Sequence, residues 1–238
     1  MKPGQNTERD GVERELFLGV DGVELAGTLG IPKNPKGLVL FAHGSGSSRH
    51  SPRNRYVAGV LHCRGIATLL LDLLTREEEF ADQRTAELRF DIALLARRLN
   101  SATRSIMRQP DVRHLKVGYF GASTGAGAAL VAAAEFPENV AAIVSRGGRP
   151  DLAMDALGSV RAPTLLIVGG NDEPVIEMNR QALAELGCLE KKLVIVPGAT
   201  HLFEEPGTLE EVARLAAEWF VQHLAPANRV QTKMSVNR

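Results

Sequence analysis

A serine, an aspartate and a histidine each stand directly after a short apolar run, in positions that suit acyl-transfer chemistry. Ser123 lies in a Gly-Ala-Ser-Thr-Gly pentapeptide, Asp172 follows the apolar run 164–168, and His201 follows the run 193–196. A serine hydroxyl is a weak nucleophile at neutral pH, so it needs a histidine base that an acid orients. The three residue types, in this chain order, predict a nucleophile, an orienting acid and a general base.

The pentapeptide around Ser123 predicts a sharp turn from a strand into a helix. It follows the apolar run 115–120 and opens the Ala/Gly-rich segment 126–134. A serine at such a turn projects its hydroxyl beyond the carboxyl edge of a sheet, and glycine at both ends lets the two backbones approach closely. In the simpler alternative, Ser123 or Thr124 only caps the helix.

The sequence offers alternatives for the acid and for the base. Glu173 neighbours Asp172 and could reach the histidine, but we favour the shorter aspartate at the strand end. We favour His201 as the base because it follows a strand at the edge where sites in open α/β sheets form. The other histidines that we considered lie on predicted helices or before a strand: His62, His223 and His114.

A Gly/Ser-rich segment, residues 43–48, directly follows the apolar run 38–42. Its glycines allow close approach of the backbone to a ligand, and its N–H groups could face a developing negative charge. We predict that the backbone N–H groups of Ser45 and Thr124 form an oxyanion hole, in which each donor contributes on the order of 3 kcal/mol to the transition state. The alternative is a flexible loop without a role.

Arginines cluster at the same predicted edge. Arg146 and Arg149 follow the run 140–144, and three more follow the Gly/Ser-rich segment: Arg49, Arg53 and Arg55. A guanidinium can hold a carboxylate through two parallel hydrogen bonds. We hypothesise that the substrate carries an anionic group near the scissile acyl bond, bound by Arg146 or Arg149. Alternatively, these arginines are solvated or paired with Asp151 and Asp155.

The elements that must position these residues alternate along the chain. Asp21-Gly22 predicts a hairpin between strands 16–20 and 23–29. Continuous apolar runs predict further strands, buried on both faces of a parallel sheet, at 38–42, 66–71, 115–120, 140–144, 164–168 and 193–196. Helical segments between them, joined by right-handed crossovers, predict a single-domain α/β fold with one doubly wound sheet.

Four of the predicted helices have readable features. One begins at Ser51-Pro52, and a long one covers about 80–107 with Leu88 on its apolar stripe. Another is closed by Gly187, and the last begins at Thr208 with Glu211 completing a capping box.

Composition excludes several classes of function. Lys plus Arg and Asp plus Glu number 28 each, so no global field favours nucleic acid or an anionic membrane. The apolar runs are too short to span a bilayer, and a polar N-terminus argues against a secretory signal. Cys63 and Cys188, both placed in predicted helices, lack metal-site spacing. We expect a cytoplasmic protein without metal or cofactor and one domain over 1–238, with a core at about 14–224 and a flexible tail at 225–238; the oligomeric state stays open.

Together, residues 43–46, residues 121–125, Asp172 and His201 resemble the α/β-hydrolase superfamily over residues 16–224, and they are most similar to its compact dienelactone-hydrolase-like branch. The resemblance implies a site without an inserted lid domain, roofed at most by loops, because only a short segment separates the strands between which a lid is often inserted. Dienelactone hydrolase itself uses a cysteine nucleophile, whereas position 123 is serine. This departure favours a serine esterase over a lactonase.

The residues and the resemblance predict a serine hydrolase that cleaves small carboxylic esters, lactones included, through an acyl-enzyme on Ser123. We expect its activity to fall in acid, because a protonated imidazole cannot act as the base. Two alternatives stay open: a thioesterase or peptidase that uses the same residues, and a non-catalytic small-molecule receptor on the same scaffold.

Overall fold

Eight strands form one sheet in the computed structural model, which describes residues 11–226. The strands are β1 (Gly11–Val20), β2 (Val23–Pro32), β3 (Leu38–Ala42), β4 (Ala67–Leu71), β5 (Val117–Ala122), β6 (Ala142–Arg146), β7 (Thr164–Gly169) and β8 (Lys191–Val196). Their spatial order is β1-β2-β4-β3-β5-β6-β7-β8. The β1–β2 hairpin and the β2–β4 pair are antiparallel, and all other pairs are parallel. The predicted α/β fold, mostly parallel with an N-terminal antiparallel hairpin, is confirmed.

The helices cover the sheet on both faces. They are α1 (Pro52–Cys63), α2 (Arg76–Thr85), α3 (Ile92–Ile106), α4 (Thr124–Glu135), α5 (Met154–Leu157), α6 (Glu173–Glu185) and α7 (Thr208–Leu224). Helices α1 and α7 share one core with Phe41 and Phe120, whereas α3 and α4 share the other with Leu40 and Tyr119. Neighbouring residues of one strand therefore enter opposite cores, as the alternation of strand side chains requires.

The predicted long helix over about 80–107 is wrong, because the chain breaks there into two helices. Helix α2 ends at Thr85, its C-cap Ala86 has a left-handed φ of 56°, and a short 3₁₀ turn, Leu88–Phe90, precedes α3. The buried Asp82 carboxylate stabilises this break by accepting the backbone N–H groups of Leu88 and Arg89, at 2.7 and 3.3 Å. These bonds replace helical ones, so Leu88 lies outside both helices.

Two smaller predictions also differ from the structure. Helix α7 begins at Thr208 as predicted, but Gly207 is its N-cap, and the Thr208 hydroxyl donates to the carbonyl of Glu205 at 2.7 Å instead of joining a capping box with Glu211. Cys188 does not lie in a helix: it is buried in the segment between α6 and β8.

Residues 227–238 of the predicted flexible tail lie outside the described residues, as do residues 1–10. Among the helices of the described part, none combines the length and the apolar character that crossing a bilayer would require.

Gly125 should tolerate no side chain, because α4 starts directly against the end of β3. A Cβ at this position would lie 2.2 Å from the carbonyl oxygen of Ala42 and 2.4 Å from that of His43, both backbone atoms. Overpacking of this kind costs about 3 kcal/mol. We expect Gly125→Ala to lower the free energy of unfolding by that amount in chemical denaturation.

The matched control for this substitution is Gly59→Ala. Gly59 also lies in a helix, but no atom of the described residues comes within 4 Å of its added Cβ. Alanine favours helix over glycine by about 1 kcal/mol, so this variant should be slightly more stable than the wild type. Equal stability of the two variants would contradict the close packing of α4 on β3.

Candidate active site

Ser123 occupies a strained turn between β5 and α4. Its φ and ψ are 50° and −121°, a combination that non-glycine residues rarely adopt and that surrounding structure must maintain. The flanking glycines permit this turn: a Cβ at Gly121 would lie 2.4 Å from the Cα of Ala126, in the first turn of α4. The sequence thus places a half-buried serine at the apex of the turn, as predicted for residues 121–125.

Backbone hydrogen bonds from the neighbouring strand hold this turn. The N–H of Ser123 donates to the carbonyl of Arg146 at 3.2 Å, and the carbonyl of Ser123 accepts the N–H of Arg149 at 3.1 Å. The Ser123 side chain makes no capping bond to α4. The alternative in which this serine only caps a helix therefore lacks its hydrogen bond here.

Asp172 and His201 are in direct contact. The Asp172 Oδ2 lies 2.6 Å from His201 Nδ1, and the two side chains are 13% and 37% exposed. Gly169 allows the two loops to converge, because a Cβ there would lie 2.5 Å from the carbonyl oxygen of Ala199. Glu173, the alternative acid, is exposed at the start of α6. Of the two acids that we considered, Asp172 is therefore the one that touches the histidine.

His201 and Ser123 both lie against the end of β6. The imidazole packs on Gly147, where an added Cβ would lie 3.5 Å from both Nδ1 and Cε1. Gly147 directly follows Arg146, whose carbonyl accepts the Ser123 N–H. Residues 123, 172 and 201, far apart in the chain, are thus gathered around one strand end, where open α/β sheets form their sites.

The Gly/Ser-rich loop lies directly over Ser123. A Cβ at Gly44 would come within 3.1 Å of the Ser123 Cβ, so only glycine fits this approach without a shift. The N–H of Ser45 donates to the hydroxyl oxygen of Thr124 at 2.9 Å. The two residues predicted to supply the oxyanion hole are therefore neighbours, and in this state the Ser45 N–H already has an acceptor.

His43 fixes the position of this loop. Its Nε2 accepts the N–H of Leu73 at 3.3 Å, so a neutral ring carries its proton on Nδ1. That Nδ1 lies 2.9 Å from the carbonyl oxygen of Gly44, to which it donates. The imidazole thereby links the segment after β4 to the backbone that faces Ser123.

A cavity of about 200 Å³ opens between this loop and α2. Ser45 and Thr124 line it, together with the polar side chains of Glu79, Gln83 and Arg89. Three leucines form an apolar part of the cavity wall: Leu73, Leu74 and Leu95. The cavity begins at the predicted oxyanion donors, so it is a candidate binding site for part of a substrate.

The roof formed by α2 was missed in the sequence, although a signal for it was present. Thr75 and Glu78 form a capping box, in which each side chain accepts the other residue's backbone N–H. Arg98 of α3 donates to the Glu78 carboxylate at 2.5 and 2.6 Å and lowers the pKa of this acid. The expectation of a site roofed only by loops is therefore wrong in one respect, since a helix anchored to α3 covers the cavity.

Arg146 and Arg149, the two arginines of the anionic-substrate hypothesis, differ in whether their guanidinium groups have acceptors. Arg149 donates two hydrogen bonds to the Asp151 carboxylate, at 2.8 and 2.7 Å, which raises the pKa of the guanidinium. This is the pairing that we considered as the alternative. Arg146 is only 7% exposed, and its Nε and Nη1 have no hydrogen-bond partner among the described residues. Of the two, Arg146 alone retains buried donors without an acceptor.

Metal-ligating side chains do not gather in the described part of the chain, where no three His, Cys, Asp or Glu residues are arranged to hold an ion.

Comparisons with known proteins show the family to which this fold belongs. The family model described as the dienelactone hydrolase family matches residues 25–225. A crystal structure of dienelactone hydrolase from Anabaena variabilis is 63% identical, with a TM-score of 0.88, over 90% of this chain and 99% of that chain. Est1E from Butyrivibrio proteoclasticus, at 17% identity and a TM-score of 0.74 over 87% of this chain and 98% of that one, shares the fold alone.

A protein of Mycobacterium tuberculosis that carries the name "Putative phosphoribosyl transferase" is 63% identical over 212 residues, which are 89% of this chain. The match covers 47% of that protein, so this chain spans about half the length of the curated relative. The family model covers most of this chain, and the Anabaena structure covers nearly its full described length. The chain belongs to the dienelactone hydrolase family.

Proposed function

We propose that this chain is a serine hydrolase that cleaves carboxylic esters through an acyl-enzyme on Ser123. One observation carries the proposal: the strained Ser123 donates its N–H to the last residue of β6, and the Asp172–His201 pair, hydrogen-bonded at 2.6 Å, lies against the residue that follows it. Strain of this kind persists only where the surrounding structure maintains it, and it is concentrated at functional sites. Membership in a hydrolase family supports the same chemistry.

In the first step, His201 takes the Ser123 proton on Nε2 as the hydroxyl oxygen attacks the ester carbonyl. Asp172 accepts a hydrogen bond from Nδ1 at 2.6 Å, which fixes the tautomer and stabilises the imidazolium. The imidazolium then returns its proton to the alcohol oxygen as the acyl C–O bond breaks. Water attacks the acyl-enzyme with His201 again as base, and the acid leaves.

The oxyanion of each tetrahedral intermediate would be bound by the N–H groups of Ser45 and Thr124. Thr124 is the first residue of α4, where backbone N–H groups lack acceptors within the helix. The Ser45 N–H now donates to the Thr124 hydroxyl, so we propose that the substrate carbonyl oxygen replaces this hydroxyl as acceptor. The swap keeps the N–H satisfied both before and during catalysis.

The two sides of the ester would occupy different places. The cavity under α2 starts at the oxyanion donors, which suits the acyl chain, and its volume of about 200 Å³ limits that chain to a small group. The leaving alcohol must lie on the His201 side, because the imidazole protonates it. Small anionic esters therefore fit the site best, with Arg146 as the candidate contact.

The name of the Mycobacterium relative raises a second activity, phosphoribosyl transfer. This chain matches only 47% of that protein, and the matched part is the one that the hydrolase family model describes here. We propose that any transferase activity of the longer protein belongs to its other half. In this reading, the present chain corresponds to a hydrolase unit.

Covalent labelling tests the proposed function. A fluorophosphonate probe should form one adduct per chain, located on Ser123 by peptide mass spectrometry, because such probes react with a serine only when a base activates it. Ser123→Ala should take up no probe, whereas Ser159→Ala, which alters an exposed serine after α5, should be labelled like the wild type. A wild-type protein that stays unlabelled would favour the non-catalytic alternative.

A further inference from the structure

Arg146 is a buried cation, and two of its donor nitrogens find no acceptor among the described residues. It ends β6 with 7% exposure, and neither Nε nor Nη1 has a hydrogen-bond partner. Arg98 is as buried, and its Nε also lacks a partner among the described residues, but its Nη1 and Nη2 donate to the Glu78 carboxylate and to the carbonyl of Leu73. Burial, and secondarily the nearby charge of Arg53, lowers the pKa of Arg146 to about 10. A buried charge normally has a partner of opposite sign, so this one suggests a ligand.

Arg53 adds a second cation beside the first. It is the second residue of α1, and its Nε is also buried without a hydrogen-bond partner in the part of the chain that the structure describes. Its Nη1 donates to the carboxylate of Glu204 at 3.0 Å, but the Glu204 side chain is 64% exposed, so water solvates most of this carboxylate. Within residues 11–226, no carboxylate forms an ion pair with Arg146. Of the two guanidinium groups, only that of Arg53 has a carboxylate partner among the described residues, and that partner is exposed.

The strand and the loops place this pair on the His201 side of the site. Strand side chains alternate, so Arg146 points to the same face as Val144, into the core that α1 and α7 cover. Gly147, the next residue, contacts the His201 imidazole. The Arg53–Glu204 bond ties the start of α1 to the loop that follows His201. The leaving alcohol of an ester on Ser123 would point toward this corner.

We propose that Arg146 and Arg53 bind a phosphate monoester group carried by the leaving alcohol of the ester substrate. The proposal rests on the proposed function, since it locates the phosphate relative to the scissile bond. Three buried donor nitrogens on two cations suit a doubly charged, tetrahedral anion better than a singly charged, planar carboxylate. The N-terminus of α1, at Arg53, adds its positive dipole end to the same place.

The reaction leaves the phosphate ester intact. Ser123 attacks the acyl carbon, the acyl C–O bond breaks, and His201 protonates the released alcohol, which departs with its phosphate still attached. Water then releases the carboxylic acid from the serine. The arginines bind and orient the alcohol side and take no part in proton transfer.

Hydrolysis of matched aryl acetates tests this site. The ortho, meta and para isomers of acetoxyphenyl phosphate span a range of separations between acyl carbon and phosphorus, and phenyl acetate is the neutral reference. We expect at least one isomer to have a kcat/KM at least 20-fold above that of phenyl acetate. Arg146→Met and Arg53→Met should each reduce that ratio to below about threefold, mainly through KM.

Arg214→Met is the control with the same change of charge. Arg214 lies on the exposed face of α7 and pairs with Glu211 and Glu218, so the phosphate preference should survive its loss. Arg53 is partly exposed, which makes Arg53→Met a safe second variant should Arg146→Met not fold. A ratio near one for all three isomers in the wild type would overturn the proposal, and so would equal preference for the matching acetoxybenzoate.

Binding to a protein that cannot turn over separates the two proposals. Phenyl phosphate, titrated by calorimetry into Ser123→Ala, should bind at least tenfold more weakly once Arg146→Met is added. Absence of phenyl phosphate binding to Ser123→Ala, together with fluorophosphonate labelling of Ser123 in the wild type, would overturn the phosphate site alone. Arg146-dependent binding to Ser123→Ala, together with a wild type that resists labelling, would uphold the anion site and contradict the hydrolase.

Discussion

Ser123→Ala should abolish turnover of phenyl acetate, with kcat lower by about 10⁵- to 10⁶-fold. The reason is that the substitution removes the only atom proposed to form the acyl-enzyme, while the backbone around it stays. The positive φ of this residue is maintained by hydrogen bonds of its N–H and carbonyl to β6 and the loop after it, and alanine keeps both groups. The loss should therefore come with an unchanged melting temperature.

The measurement is release of phenol under saturating substrate, on protein purified in parallel with Ser159→Ala. That control changes a serine in the segment after α5 and should keep the wild-type rate. Retention of more than about one per cent of the wild-type kcat in Ser123→Ala would mean that another group, or water alone, attacks the ester. The acyl-enzyme mechanism would then be wrong.

Much of the fold could be predicted because local and global constraints agree along this chain. In β5, every residue is buried and successive side chains enter opposite cores, so the sequence reads as a continuous apolar run. Gly121 directly follows the apolar run, and α4 approaches it so closely that a side chain there would collide with Ala126. The residue types of the strand, the turn and the helix therefore each predict the element that they form.

The sequence was also sufficient to predict that an acid in the 172–173 segment would lie near His201. Asp172 and His201 directly follow strands of a parallel sheet, and the carboxyl ends of such strands meet at one edge. The choice between Asp172 and Glu173 needed coordinates, because adjacent residues differ only in the direction of their side chains. At the start of α6, Glu173 is exposed, whereas Asp172 is turned toward the imidazole.

Other features could not be predicted, because they depend on contacts between residues distant in sequence. The break between α2 and α3 depends on Asp82. Burial alone would raise the pKa of this carboxyl, but the hydrogen bonds that it accepts from Arg89 and from the backbone lower that pKa. The Ser45–Thr124 bond joins residues that only the folded site brings together. Likewise, nothing in the sequence distinguishes Arg149, paired with Asp151, from Arg146, which has no ion pair within residues 11–226.

Asp172→Asn should reduce kcat by about 10⁴-fold while changing KM little. An amide at this position can donate a hydrogen bond to Nδ1, so it would favour the tautomer that carries its proton on Nε2. That tautomer cannot accept the Ser123 proton. The Asp172 side chain is only 13% exposed and lies 2.6 Å from His201, so solvent cannot easily replace its role. Steady-state kinetics with phenyl acetate above neutral pH measures the effect.

Glu173→Gln provides the matched control, since it makes the same change of acid to amide one residue away. Glu173 is exposed and begins α6, so its loss should alter kcat by less than about twofold. A large effect of Glu173→Gln with a small effect of Asp172→Asn would assign the orienting role to the glutamate and contradict the geometry. If neither change mattered, no carboxylate would be needed to orient His201, and the role proposed for Asp172 would be wrong.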